Sequence, residues 1–273
     1  LIWAALVVLE RLLVVPHFKN QEMKMNLSRK IAIHTVFFVG AGIASASTIT
    51  NVNQATPNGW VIQNDNGKNG TGEFVAAGPG TPPNGSGSVE FDLTGTPDGW
   101  DIGTAQFSGT LISTITDLSE TTYTTGAPEA PSIQFDITYA GAPAGYDGRL
   151  VDDNLYTGTI ANGVWQTEDP MTGAVWFFTH TPQSATCSQA NPCTLAQVVA
   201  DFPSLEILGG TYLKAGSGWS AGSYNVNSFI ISTSGGVNDE FVFGGSPVPE
   251  PATFALMGAA LAAFAVALKR KQA

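Results

Sequence analysis

Positive charge is nearly missing from the body of this chain. Of 273 residues, 11 are Lys or Arg, and between Thr48 and Pro251 only Lys68, Arg149 and Lys214 stand against 20 Asp and Glu. A surface that acidic cannot displace the counterions of a phosphate backbone, which excludes nucleic acid and leaves cations or neutral glycans as the partners that suit it. Charge of either sign is sparse, at 12%. Helical periodicity is rarer still, since Gly (31) and Pro (16) with frequent Thr and Ser point to strands joined by tight turns.

Histidine and cysteine are equally scarce. His180 is the one histidine in the body, so a nucleophilic triad has a single candidate base, and no G-x-S-x-G elbow accompanies it. It ends the aromatic run Trp176-Phe177-Phe178-Thr179 and reads as a hydrogen-bonded strand-end residue. Cys187 and Cys193 are the only cysteines, in C-S-Q-A-N-P-C. A metal site needs more ligands than His180 adds, whereas in an exported chain such a pair closes a disulfide loop.

The two ends differ from the body. Residues 23–46 have the order of a secretory signal peptide: Lys24, Arg29 and Lys30, then the apolar run Ile31 to Ile43, then Ala44-Ser45-Ala46, with cleavage expected after Ala46. Residues 1–22 before it read most economically as an over-extended gene start, with a first membrane segment as the alternative. At the other end Pro249-Glu250-Pro251 is a stiff element that opposes helix. Ala252 to Leu268 then runs 17 residues without a charge, close to the short end of the roughly 17–25 that span a bilayer. Lys269, Arg270 and Lys271 follow and favour leaving that end in the cytoplasm.

This order of Pro-Glu-Pro, short apolar helix and basic terminus, over 247–273, resembles the PEP-CTERM sorting signal of Gram-negative bacteria. The resemblance implies recognition by exosortase, a membrane-embedded thiol protease. It further implies transient anchoring in the inner membrane, removal of the tail, and delivery to the cell surface or to extracellular polysaccharide. In that scheme Pro249, Glu250 and Pro251 are substrate and not catalyst.

Residues 47–246 are left as one passenger domain. Period-two alternation marks half-buried strands at Ser88 to Leu93, Ser132 to Tyr139, Gly158 to Trp165 and Asn225 to Thr233. Loops rich in Gly and Pro separate them, and Thr194 to Asp201 is the one good helix, capped by Thr194 and stopped at Pro203. The expected fold is all-β, an antiparallel jelly-roll-type β-sandwich flanked by the signal peptide and the C-terminal transmembrane helix. A phrase repeats within it: Thr56-Pro57-Asn58-Gly59-Trp60-Val61-Ile62 returns as Thr96-Pro97-Asp98-Gly99-Trp100-Asp101-Ile102. Each copy reads as a Pro-[Asn/Asp]-Gly turn feeding an aromatic strand start.

Four groups of residues carry chemistry. Trp60, Trp100 and Trp219 each follow Gly at a loop-to-strand junction and are the candidates for exposed rings that stack on sugars. Glu90 and Asp92 share one strand face, the pairing that glycoside hydrolysis uses. Their segment partly resembles the E-x-D-x-E or E-x-D-x-x-E strand of laminarinase-type sandwich glycosidases, but Leu93, Thr94 and Gly95 stand where the second glutamate belongs. Two loops offer oxygen ligands for calcium: Asn64 to Glu73, and Asp147 to Asn154 with Asp147, Asp152 and Asp153. No cofactor is otherwise expected. The reading is an exported, non-catalytic surface or matrix protein, structural or glycan-associated, with a carbohydrate-active enzyme using Glu90 and Asp92 as the alternative.

Overall fold

The computed structural model describes residues 47–244, apart from 86, 127–128, 155–159 and 181–185. The signal peptide, the Pro-Glu-Pro signature with its apolar span and basic terminus, and the first two residues of the Gly158 to Trp165 strand lie outside the described residues. No described helix is long and apolar enough to cross a membrane.

The described residues form two sheets. In chain order the strands are β1 (Thr48–Val52), β2 (Trp60–Asn64), β3 (Thr71–Val75), β4 (Ser88–Leu93) and β5 (Gly99–Thr104). After a 3-10 turn at Ile112–Thr114 come β6 (Ile115–Thr124), β7 (Ser132–Thr138), β8 (Arg149–Asp152), β9 (Gln166–Glu168) and β10 (Trp176–Phe178). The helix α1 (Leu195–Asp201) precedes β11 (Glu206–Gly216), β12 (Gly222–Thr233) and β13 (Asn238–Phe243). One sheet runs β1-β13-β12-β4-β3, with β6 also on β12 and β9 beyond it, and the other runs β10-β8-β7-β11-β5-β2. Every pairing among these strands is antiparallel except β1 with β13, which is parallel.

Alternation decides what each sheet buries. Val89, Phe91 and Leu93 of β4 point inward, as do Ile133, Phe135 and Ile137 of β7, while their polar neighbours face out. Phe229, Phe241 and Phe243 complete an aromatic centre in the sandwich. Each such side chain contributes roughly 1.5–3 kcal/mol by leaving water. The helix forms where expected, closed by a full capping box in which the Thr194 hydroxyl accepts from the Gln197 N–H and the Gln197 side chain accepts from the Thr194 N–H. Cys187 and Cys193 are joined in a disulfide.

Two local expectations need correction. Residues 160–165 are turn and not strand; β9 begins at Gln166, and the Trp165 indole instead donates to the Pro79 carbonyl at 2.7 Å. The repeated phrase also splits. In the first copy Asn58 and Gly59 both take positive φ (47° and 82°) and the Trp60 N–H closes on the Pro57 carbonyl, a type I′ turn. In the second the turn is Gly95 to Asp98, and Asp98 is consumed accepting from the Thr94 N–H and hydroxyl. Gly99 then belongs to β5.

Candidate functional site

The outer face of the six-stranded sheet gathers polar residues that lie far apart in the chain. One row across β2, β5, β11 and β7 reads Gln63, Asp101, Lys214, Ser132. The next reads Val61, Gly103, Tyr212, Gln134, Val151 and Phe177, ending on β10. Asp136 faces Arg149 one step further on. Two of the three basic residues of the body therefore share one face, on a domain that is acidic elsewhere.

Those two cations are tied down by carboxylates. The Arg149 Nε donates to Asp136 Oδ1 at 2.8 Å, one terminal nitrogen donates to Gln134 Oε1 at 3.3 Å and stands 3.6 Å from Asp65 Oδ1, and the guanidinium lies 4.4 Å over the Tyr212 ring. The Tyr212 hydroxyl donates to Asp136 Oδ2 at 2.7 Å, and the Lys214 ammonium to Asp65 Oδ2 at 2.5 Å. Burial opposes the Arg149 charge, but Asp136 outweighs it and the guanidinium is held more firmly protonated than usual. Burial, together with donation to Asp136, pushes the Tyr212 phenol up to about 12.

Asp101 lies beneath this network, fully covered, with neither carboxylate oxygen in a hydrogen bond. Burial first, and the neighbouring Asp65 second, push its pKa up to about 6. Gln63 stands across the strand pair outside regular hydrogen-bond geometry and, with Arg149 and Lys214, only partly offsets that rise. A groove on this face, lined by Asp65, Ser132, Gln134, Arg149, Lys214 and Trp219, encloses about 240 Å³.

The tryptophan candidates separate. Trp60 is a correction: it is 1% exposed, because the type I′ turn starts β2 in a register that sends the indole into the core, edge-on to Phe229, Phe241 and Phe243. Trp100 is half-buried and serves as a seam between the sheets, its indole donating to the Asn69 carbonyl and its ring so close over Gly72 that a Cβ there would fall 2.5 Å from it. Trp219 alone of the three lines the groove, packed 5.0 Å from Tyr224.

The carboxylate candidates also separate. Glu90 and Asp92 sit on the outer face of the other sheet, where Glu90 accepts from the Ser223 hydroxyl and faces Glu73 across β3. Asp147, Asp152 and Asp153 are not brought together as a loop, since residues 149–152 are strand β8. Asp147 is at the surface, its Oδ1 2.8 Å from His180 Nδ1 in an exposed pair, whereas Asp152 is turned into the interior. In the loop Asn64 to Glu73 the Asn64 side chain accepts from the Asn66 and Gly67 N–H groups, and Asp65 is held by Lys214 and Arg149. Asp136 and Tyr212 fix the Arg149 side chain of the groove and Asp101 stands opposite its Lys214 in register, yet the sequence singled out none of them. The signal was present in Tyr212-Leu213-Lys214-Ala215, but Gly209 and Gly210 form a register shift just before it and hide the alternation.

Comparison with known proteins bears on the two parts of the chain separately. Residues 247–271 match the PEP-CTERM protein-sorting motif. No curated protein sequence matches the chain. Among solved structures it is similar to a family 11 carbohydrate-binding module of a cellulosomal cellulase from Clostridium thermocellum, with 12% identity, 70% of this chain and 91% of that chain covered, and a TM-score of 0.35. A second structure of the family 11 module from Clostridium thermocellum, in complex with a β-1,3-1,4-mixed-linked tetrasaccharide, shares 14% identity over 62% of this chain and 86% of that one, with a TM-score of 0.33.

Proposed function

We propose that this chain, which carries an exosortase sorting motif, is an exported non-catalytic surface protein that holds a neutral polysaccharide on the outer face of its six-stranded sheet. In this reading the domain is a jelly-roll-type sandwich, and exosortase removes the tail and leaves it at the cell surface or in the extracellular polysaccharide of a Gram-negative bacterium. The observation that carries the binding assignment is the groove of Gln134, Arg149, Lys214, Asp65 and Trp219. It combines donors and acceptors, its two cations are neutralised in place by Asp65 and Asp136, and the Trp219 ring is part of its wall. Paired charges of this kind hydrogen-bond hydroxyls without selecting an anion. At about 240 Å³ the groove falls below the roughly 300–1,000 Å³ of pockets that enclose small molecules, which fits one stretch of a longer polymer lying across a surface.

The test is affinity electrophoresis and a glycan array with the exported protein. Retardation by neutral polysaccharides that is lost on Gln134→Ala or Trp219→Ala supports the reading; no retardation, or retardation by acidic polymers alone, rejects it. One observation favours the alternative of a carbohydrate-active enzyme using Glu90 and Asp92: Glu73 stands opposite Glu90, so three carboxylates share that face. Release of reducing ends that stops in Glu90→Gln would decide for it. For the sorting assignment, deletion of 247–273 should abolish surface localisation of an otherwise folded protein.

A further inference from the structure

We propose that Asp152 and Glu120, which reach into the interior from opposite sheets, bind a hard divalent cation of the calcium class that ties the two sheets together. Strand β8 alternates so that Leu150 and Asp152 point in while Arg149 points out, and β6 turns Leu118, Glu120 and Thr122 inward. Asp152 is 0% exposed and Glu120 1%, and Glu168, 8% exposed, faces Glu120 directly across β6 and β9. Both Asp152 carboxylate oxygens and Glu120 Oε2 lack a hydrogen bond. Glu120 Oε1 accepts from the Asn154 amide at 3.2 Å, an amide that also reaches the Pro131 carbonyl at 3.3 Å.

Among the described residues no cationic side chain answers these charges. Arg149 and Lys214 are committed to the outer face of the sheet, and Lys68 is in an exposed loop. Glu120, Asp152 and Glu168 are buried carboxylates, and Glu120 and Glu168 stand directly opposite one another, so as anions they repel and are cut off from water. Neither Asp152 oxygen has a hydrogen-bond donor, so the carboxylate is left buried and uncompensated, which is itself costly. A cation would offset the repulsion and supply the missing partner.

The donor set selects the class of ion. Within the body both cysteines are consumed in the disulfide and the one histidine is at the surface with Asp147, so soft and nitrogen-seeking metals find no ligands. Among the described residues no three acidic, histidine or cysteine side chains are grouped so as to hold a metal ion, so the pair Glu120 and Asp152 supplies the only carboxylates of the proposed site. The remaining ligands therefore come from main-chain carbonyls and water, a mixture that calcium accepts more readily than magnesium with its strict octahedron.

The experiment uses exported protein purified without chelator, then stripped with EDTA and titrated with calcium and with terbium. Trp176 lies directly across from Asp152 and should sensitise terbium emission. The expected result is one saturable equivalent per chain and a calcium-dependent rise in melting temperature. Both should weaken at least tenfold in a Glu120→Gln/Asp152→Asn double variant and persist in Asp147→Asn. Because neutral amides remove the repulsion, the double variant in EDTA should melt no lower than the stripped wild type. No saturable binding by the wild type, undiminished binding by the double variant, or a double variant that melts below the stripped wild type overturns the proposal.

Discussion

The Arg149 guanidinium lies 4.4 Å over the ring of Tyr212, and both side chains donate to the same carboxylate, Arg149 to one oxygen of Asp136 and Tyr212 to the other. The three form a closed arrangement in which each fixes the other two. A lysine could supply the charge, but not a planar fork and a flat face together. Arg149→Lys should therefore cost about 1–2 kcal/mol of stability, and Arg149→Ala somewhat more, since it leaves Asp136 only the Tyr212 hydroxyl and the Gly210 N–H as donors. Urea denaturation of the wild type and both variants checks this; equal midpoints for the wild type and Arg149→Lys would reduce the arrangement to simple charge pairing.

Asp101 makes the stability of the fold sensitive to pH. Its pKa is raised from 3.8 to about 6 on folding, so the folded state holds a proton that the unfolded state has released. Stability from this residue is then greatest below about pH 4, falls as pH rises through 4 to 6, and stays low above that. The full effect is roughly 3 kcal/mol at most. Asp101→Asn should flatten that part of the profile, raising stability at pH 7.5 more than at pH 4.5, as read from denaturation midpoints at both.

Alternation made the strands legible wherever both faces obeyed it. Ser88 to Leu93 is β4 as read, and Ser132 to Thr138 is β7, because Val89, Phe91, Ile133 and Phe135 meet a core while their neighbours do not. It failed where glycine interrupts the period, at Gly209 and Gly210 before Tyr212. Pairing was not legible at all. The repeated phrase gives no sign that its copies lie side by side, yet Ile62 faces Ile102 at the centre of the β2 and β5 pair, so the copies are related by a local two-fold. That register places Gln63 opposite Asp101, beside Lys214 of the groove. Asp152 illustrates the same gap, since its aim depends on β8 being a strand and not the loop its Asp and Asn content indicates.

Two tryptophans that the sequence treated alike should respond in opposite ways. Trp60 is surrounded by Phe229, Phe241 and Phe243, and Trp60→Ala should cost about 3–5 kcal/mol through lost burial and the cavity left behind. Trp219 is half-buried in the wall of the groove, so Trp219→Ala should change stability far less while weakening polysaccharide retention. Denaturation and affinity electrophoresis on both variants separate the roles; equal stability losses would place Trp219 in the core as well.

The disulfide tests the export argument from the inside of the fold. The N–H of Trp176 donates to the Cys193 carbonyl, the Cys193 N–H returns to the Trp176 carbonyl, and the Phe178 N–H reaches the Cys187 carbonyl, so the cross-linked loop is the outer partner of β10. Those bonds cover the end of the sheet where Phe177 lines the groove. Closing so short a loop restricts the unfolded chain by about 2 kcal/mol, the small end of the scale. Replacing both cysteines by serine should therefore lower stability by about that amount without unfolding the sandwich, and should loosen β10 first, seen as faster amide exchange at Trp176 and Phe178. Exported protein should show no free thiol by mass after alkylation. Two free thiols would mean that the domain never met an oxidising compartment, and the sorting motif would then have to be read without export.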